Sequence, residues 1–504
     1  MKLTLVQITT LALMLLAGQE TMAAPTKKQR LVEPKRLRND LKVKDLRRGA
    51  QKLQDIAYAT KERNRVFGSP GHQATVDYIA GELRSLGGYY DVSLQPFTAT
   101  YAEHSAEVSI DGEKIPKPST FTYSPNGEFN DTPVVLVNNL GCEQADFPAA
   151  VEGKVALVKR GTCPFATKVS RAGTAKAAAI LIYNNAPGDV SGTLGSATPG
   201  PEGPYVPVAG LSQAEGEKVV ADLAAGKQVL ADVKLDGIVE DRTTYNVIAE
   251  TKGGNKDQVI MFGSHSDSVV AGPGINDNGS GSIALLTIAK NLAKYSVNNA
   301  VRFGWWSAEE YGLLGSEHYV AQLTQAQKDQ IRLYLNFDMI ASPNYALGVH
   351  DGDGSKFGQS GPAGSAEAEH NFAAYFKDIA KKPIIESEFS GRSDYGPFLD
   401  AGIAAGGLDT GAEGLKTDEE AKLFGGEAGV AYDVNYHQAG DDINNLAMDA
   451  FEINSKAISH AVATYALSFD SLGPKTKRVE KRAQGPEASS KHSNHRCGGD
   501  LAAI

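Results

Sequence analysis

The chain predicts an α/β fold: a mixed, largely parallel sheet flanked by helices, with a β-rich module inserted into it. Three observations carry that reading. Short apolar runs at Val259–Phe262, Val301–Trp306 and Leu333–Leu335 read as parallel strands buried on both faces. Ile283–Ala293 has helical spacing among them, and strand–helix–strand order with right-handed crossovers builds a parallel sheet. In the middle of the chain, Val134–Val137, Lys154–Val158 and Ala178–Tyr183 are β-type runs punctuated by Gly and Pro.

The chain has 504 residues, enough for two or three domains. Hydrophobic residues make up 41% and charged residues 22%, an ordinary globular balance. The net charge of −10 argues against general nucleic-acid binding, which needs a basic face. No internal apolar run is long enough for a membrane span. The oligomeric state is not readable from the sequence.

In chain order, Leu3–Leu16 is apolar after Lys2 and is followed by Ala23-Ala24, so residues 1–24 read as a secretory signal peptide. The expected destination is the secretory route, ending in a vacuole or outside the cell. Residues 25–50 carry Lys27-Lys28, Lys35-Arg36 and Arg47-Arg48 with little apolar surface. They read as a basic pro-segment or linker, or as an amphipathic helix leading into the domain. Helical spacing follows at Leu53, Ile56 and Ala57, then at Ala74, Tyr78, Ile79 and Leu83, where Gly87-Gly88 stops it. Tyr90–Phe97 alternates as a strand.

Residues 51–102 therefore form the first part of the main domain, 103–241 the inserted module and 242–470 the rest of the main domain. Within that last part, a helix is expected around Ala366–Lys381, a loop and helix start at Ser390–Phe398, a long loop over Gly411–Ala431 and helix again from Ile443 to Leu467. Residues 471–504 are polar and read as a disordered tail. Asn130-Asp-Thr132 and Asn278-Gly-Ser280 fit the glycosylation triplet; Asn130 is the plausible surface site, and Asn278 is discounted because it lies in a ligand loop.

The chemistry lies at the ends of the predicted strands. Ligands of open α/β sheets bind beyond the carboxyl ends of the strands. There the sequence places His265-Ser-Asp267, Gly274-Ile-Asn-Asp277, Glu309-Glu310 and Asp338, and a later Tyr436-His437 can join them. Zinc takes imidazole nitrogen and carboxylate oxygen. Two His and three carboxylates can hold two zinc ions if one carboxylate bridges, and cations relieve the repulsion among crowded carboxylates. His265 and Asp267 stand two apart and share a face of an extended segment.

Five motifs together resemble the M28 family of zinc aminopeptidases, the fungal vacuolar aminopeptidase Y type: His265-Ser-Asp267-Ser, Gly274-Ile-Asn-Asp277-Asn-Gly-Ser-Gly, Ala308-Glu309-Glu310-Tyr-Gly-Leu-Leu-Gly-Ser, Asn336-Phe-Asp338-Met and Tyr436-His437. The resemblance runs from about Leu53 to about Asp470. It implies the zinc exopeptidase fold, two zinc ions per subunit and peptide substrates with a free N-terminus.

It also implies the roles. His265 and Asp338 would share one zinc with Asp277, and Glu310 and His437 the other, with Asp277 bridging. Glu309 would be the general base, and Asp267 would orient the His265 ring. Tyr436 would face the developing oxyanion and Arg392 would contact substrate. The peptide bond after the bridging Asp is often cis in the family. Gly153–Phe165 resembles the protease-associated domain, and Cys142 and Cys163 resemble its disulfide, which leaves Cys497 over. Asn435 and Gly440 stand where relatives often carry a disulfide around the Tyr-His pair, so that bridge is absent here.

Two other readings share the scaffold. A glutamate carboxypeptidase-like enzyme would need a basic pocket for a substrate carboxylate, and Arg392 is the one candidate. A receptor-like, non-catalytic chain would have lost ligands, whereas all five are present.

Overall fold

The structure is a computed structural model that describes residues 29–190 and 192–473. Residues 1–24, expected as a signal peptide, Cys497 and the chain after Gly473 lie outside the described residues.

At the centre of the main domain is a sheet with strand order Ile385–Ser387, Gly348–His350, Ala405–Asp409, Ile331–Phe337, Asn255–His265, Asn299–Trp306 and Leu230–Thr251. Asn255–His265 pairs in parallel with Asn299–Trp306 and with Ile331–Phe337, and the latter pairs in parallel with Ala405–Asp409. The antiparallel pairings flank that parallel centre. This is the mixed, largely parallel sheet read from the sequence.

The apolar runs are continuous because both sheet faces are covered. Ile260 and Phe262 point into the larger core with Val301, Phe303, Leu333 and Leu335. Met261 points to the other face, with Trp306, Tyr319, Tyr334 and Phe398. Helix Gly279–Leu292 is buried nearly all round, as a crossover helix between sheet and outer helices must be. Its N-terminus is capped by the Asn278 side chain, which accepts from the Gly281 amide at 2.9 Å. Asn278 is fully buried, so its glycosylation triplet is closed to modification, whereas Asn130 is exposed.

The segment expected as a basic pro-segment or linker, or as an amphipathic helix leading into the domain, takes the second form and joins the core from Val32 on. Arg30–Leu31 pairs with Tyr295–Ser296, and helices Pro34–Asp40 and Val43–Tyr58 follow. Val32, Leu37, Leu41, Leu46 and Ala50 are buried in the main core, while the Lys and Arg side chains lie on the outer face. Few apolar residues sufficed because their spacing puts them on one side.

Two long strands, Tyr90–Ile110 and Leu230–Thr251, carry the chain out to the inserted module and back. They pair without a break from Tyr90↔Thr251 to Ile110↔Ala231. The module's own core begins at Val108 and ends at Leu235, a few residues inside the expected limits of 103 and 241. The Cys142–Cys163 disulfide lies within it, with a Cα–Cα distance of 5.8 Å.

Two smaller expectations are also corrected. Residues 411–431 are not all loop: Asp418–Phe424 is helical, with Thr417 and Glu420 forming a capping box. The packed chain continues past 470, because Leu472 is buried in the main core. Among the described residues, no helix is long and apolar enough to cross a membrane.

Candidate metal centre

The five expected ligands meet at the carboxyl edge of the sheet. His265 ends strand Asn255–His265, and Asp338 directly follows Ile331–Phe337. Glu309 and Glu310 lie in a one-turn 3-10 helix, Glu309–Tyr311, after strand Asn299–Trp306. Asp277 comes from the loop before helix Gly279–Leu292, and His437 from the segment before the last long helix.

Asp277 stands between two groups. Its Oδ1 lies 3.1 Å from Nε2 of His265, which is 3.3 Å from Oδ1 of Asp338. Its Oδ2 lies 3.1 Å from Nε2 of His437, which is 3.0 Å from Oε2 of Glu310. In each group the potential ligand atoms all fall within 4.8 Å of one another. Both oxygens of Glu310, Oδ1 of Asp338 and Nε2 of His437 are buried without a hydrogen bond. Buried polar atoms are normally satisfied. Hard oxygen and imidazole donors converging in this way fit divalent zinc.

The charges tell the same story. Burial alone would lower the His265 pKa, but Asp338 and Glu309 outweigh it and hold the ring well above its usual value. His437 is likewise lifted against burial, to about 10, by Glu310 and Asp277. Burial lifts Glu310 to about 7. Burial would raise Asp277 too, yet the two imidazoles hold it well below the ordinary carboxylate range. Carboxylates crowded around two imidazoles in this way favour a cation among them.

Glu309 is 1% exposed, and its Oε2 lies 3.8 Å from Nε2 of His265. Burial, opposed by His265 and reinforced by Asp338 and Asp394, raises its pKa well above the usual carboxylate value. That suits a group that must both take and return a proton. Asp267 stands beside the His265 ring as expected, but Oδ1 is 3.6 Å from Nδ1, longer than a hydrogen bond, and accepts the Glu309 amide at 3.2 Å. Tyr436 stacks on His437 with ring centroids 3.8 Å apart. Arg392 donates to the Tyr436 hydroxyl at 3.3 Å and pairs with Glu413 at 2.7 Å.

The backbone is shaped to fit. The Asp277–Asn278 peptide bond is cis. Ala308, Met339 and His437 adopt φ between 49° and 58°, each at or next to a ligand or to Glu309. Residues without glycine's freedom are held there only where the surroundings demand it.

Several supporting residues were not read from the sequence. Asp441 accepts the amides of Asn276 at 2.7 Å and Asp277 at 2.9 Å. Fully buried Arg65 donates to the carbonyls of Ser266, Pro273 and Gly274, tying the His265 and Asp277 loops together. A hydrogen-bond chain runs from Trp306 to the Tyr334 hydroxyl, from there to Asn336, on to Ser393, and from Ser393 to Oδ2 of Asp338 at 2.6 Å. It leaves Oδ1 of Asp338 turned towards His265.

A mixed, largely parallel α/β sheet carrying two His/carboxylate triads that share one aspartate fits a metallopeptidase. Residues 246–462 match Peptidase family M28 and residues 131–219 match the PA domain. The chain is 52% identical over 470 residues to the probable leucine aminopeptidase 2 of Aspergillus fumigatus, covering 93% of this chain and 92% of that one. It is 49% identical to the leucine aminopeptidase 2 of Arthroderma otae, covering 91% of each. Among solved structures, an aminopeptidase from Aneurinibacillus sp. strain AM-1 aligns with a TM-score of 0.66 and 28% identity over 85% of this chain and 95% of that one. A zinc aminopeptidase from Bacillus subtilis aligns with a TM-score of 0.59 and 26% identity over 84% and 94%. The chain belongs to peptidase family M28 and carries a PA domain; it is a metallo-aminopeptidase acting on peptides.

Proposed function

We propose that the chain is a two-zinc aminopeptidase of the secretory route, releasing N-terminal residues from peptides in a vacuole or outside the cell. One observation carries the count of two: His265 and Asp338 on one side, and Glu310 and His437 on the other, share the two oxygens of Asp277. The Cys142–Cys163 disulfide supports an oxidising destination, as does the apolar stretch Leu3–Leu16. Asn130, being exposed, is the proposed glycosylation site.

Zinc, when bound, supplies Lewis acidity, acidifying a water and polarising a carbonyl. The protein's own groups do the rest. Glu309, buried beside His265, takes a proton from the attacking water and delivers it to the departing amine. Tyr436 accepts from Arg392, which strengthens its hydroxyl as a donor to the negative charge developing on the carbonyl oxygen. Asp267 holds the Glu309 backbone and flanks His265. Asp338 lines the cavity and offers negative charge to a substrate ammonium group.

Arg392 does not make the basic pocket that a carboxypeptidase needs, because Glu413 already pairs with it. The test is a timed digest read by mass spectrometry, alongside a peptide acetylated at its N-terminus. Shortening from the N-terminus, with kcat/KM for the acetylated peptide lower by at least about a thousandfold (roughly 4 kcal/mol), supports the reading. Shortening from the C-terminus overturns it.

A further inference from the structure

The PA domain and the peptidase domain leave a cleft of about 900 Å³ between them. One wall is residues 97–100, where strand Tyr90–Ile110 leaves for the PA domain, and Tyr123 and Thr193 of that domain continue it. Residues 311–314 and His318 form the opposite wall. Tyr311 directly follows Glu310, so this wall begins where the carboxylates of the metal centre end. Tyr395 lines both the cleft and the cavity that holds Asp277, Glu309 and Asp338, so the two spaces adjoin.

The strand wall is an open edge. Strand Tyr90–Ile110 pairs with Leu230–Thr251 along its whole length. Among the described residues, its other edge is paired only at Ser109 and Ile110, by Glu113–Lys114. Successive side chains of a strand point to opposite faces. Yet residues 97–100 all line the cleft, so what they share with it is the strand's edge. In an antiparallel ribbon, alternate residues turn their peptide groups away from the partner strand. Those groups here face the cleft. Pro96, without an N–H, precedes them, as suits a strand with one unpaired edge. An open edge is a template for a further strand. Among the described residues, the cleft lining has no lysine or arginine, so it offers no counter-ion to a C-terminal carboxylate.

We propose that the cleft is an exosite for the polypeptide downstream of the scissile bond. That segment adds as a strand to the edge at residues 97–100, so the enzyme favours extended peptides over dipeptides. The proposal rests on the aminopeptidase reading. With the N-terminal residue at the metal centre, the rest of the substrate leaves through space that continues from the catalytic cavity, and the cleft adjoins it. Strand addition draws its affinity from main-chain hydrogen bonds, so the preference is for length rather than sequence. At about 3.3 Å per residue, this edge matches roughly four residues of substrate.

The test uses the full-length enzyme with leucine p-nitroanilide, leucyl-alanine amide and leucyl-pentaalanine amide. The anilide has no downstream residues, so its hydrolysis reports the aminopeptidase activity by itself. The amides remove the C-terminal charge from both peptides. kcat/KM is expected to be at least about tenfold higher for the longer peptide, the effect of one or two backbone hydrogen bonds. Its backbone amides beyond the second residue are then N-methylated one at a time. The loss should be about tenfold and fall at alternate positions only, because a strand pairs with one neighbour through every second residue. Thr98→Trp, on the strand wall, should bring the long/short ratio towards one; any general loss of activity divides out of the ratio. Three results overturn the proposal: anilide hydrolysis without length dependence, an even loss or none across the methylated positions, and an unchanged ratio in the folded Thr98→Trp protein. An edge taken by a second copy of the chain would give a dimer whose rate ignores substrate length, which overturns it equally.

Discussion

Oδ2 of Asp441 accepts the backbone N–H of Asp277 at 2.9 Å, across 164 residues of sequence. Its other oxygen accepts the Asn276 amide at 2.7 Å, so one buried carboxylate holds the loop that carries Asp277, the residue common to both triads. An amide at this position can accept only one of the two bonds. Asp441→Asn is therefore expected to weaken metal binding by about 10–100-fold, the usual effect of losing a group that orients a ligand. Titration of the variant with a competing zinc chelator checks this, and an unchanged affinity would show that the loop holds itself.

The N-terminal helices are structural. Leu37 is fully buried in the main core. Leu37→Ala should cost about 3 kcal/mol of stability, in the range for a buried leucine truncated to alanine. Urea denaturation measures it; a loss under about 1 kcal/mol would mean that helix Pro34–Asp40 rests only loosely on the domain.

Stability should fall on mild acidification, partly through His460. Its ring packs on Tyr375 with centroids 5.0 Å apart, and its Nδ1 has no hydrogen-bond partner. Burial, helped by Arg38, holds its pKa down to about 4. The unfolded chain has the ordinary value near 6.5, so between roughly 6.5 and 4 the unfolded state binds more protons. The contribution is complete above that window and is lost as pH falls through it. His460→Gln should show a smaller drop in urea midpoint between pH 7 and pH 5 than the wild type. An equal drop would remove His460 as a cause.

The strands and the five candidate ligands were legible in the sequence for the same physical reason. Strands buried on both faces must be apolar throughout, and chemistry in such sheets gathers where they end. His265 ends its strand, Asp338 directly follows one, and the Glu309-Glu310 pair begins three residues after Trp306 ends another. Arg65, Asp441 and Ser393 were not legible, because their task is to satisfy backbone or ligand atoms brought near only by folding; Arg65 reaches loops more than 200 residues away. Residues 30–50 looked like a basic arm because charge outnumbers apolar residues there, although Val32, Leu37, Leu41 and Leu46 mark a buried side. Helix Asp418–Phe424 was hidden by the glycines around it, yet Thr417 and Glu420 at capping-box spacing announced it.

The central claim is that two triads sharing Asp277 hold two zinc ions and that Glu309 moves the proton. Zinc content per chain by inductively coupled plasma mass spectrometry, paired with turnover of leucine p-nitroanilide, tests both parts in three proteins: wild type, Glu309→Gln and Glu310→Gln. Two zinc ions are expected in the wild type and in Glu309→Gln, with turnover in the latter lower by at least about a hundredfold, as for loss of a general base. Glu310→Gln should retain less zinc. One zinc in the fully active wild type, or a Glu309→Gln protein that keeps its turnover, would contradict the account.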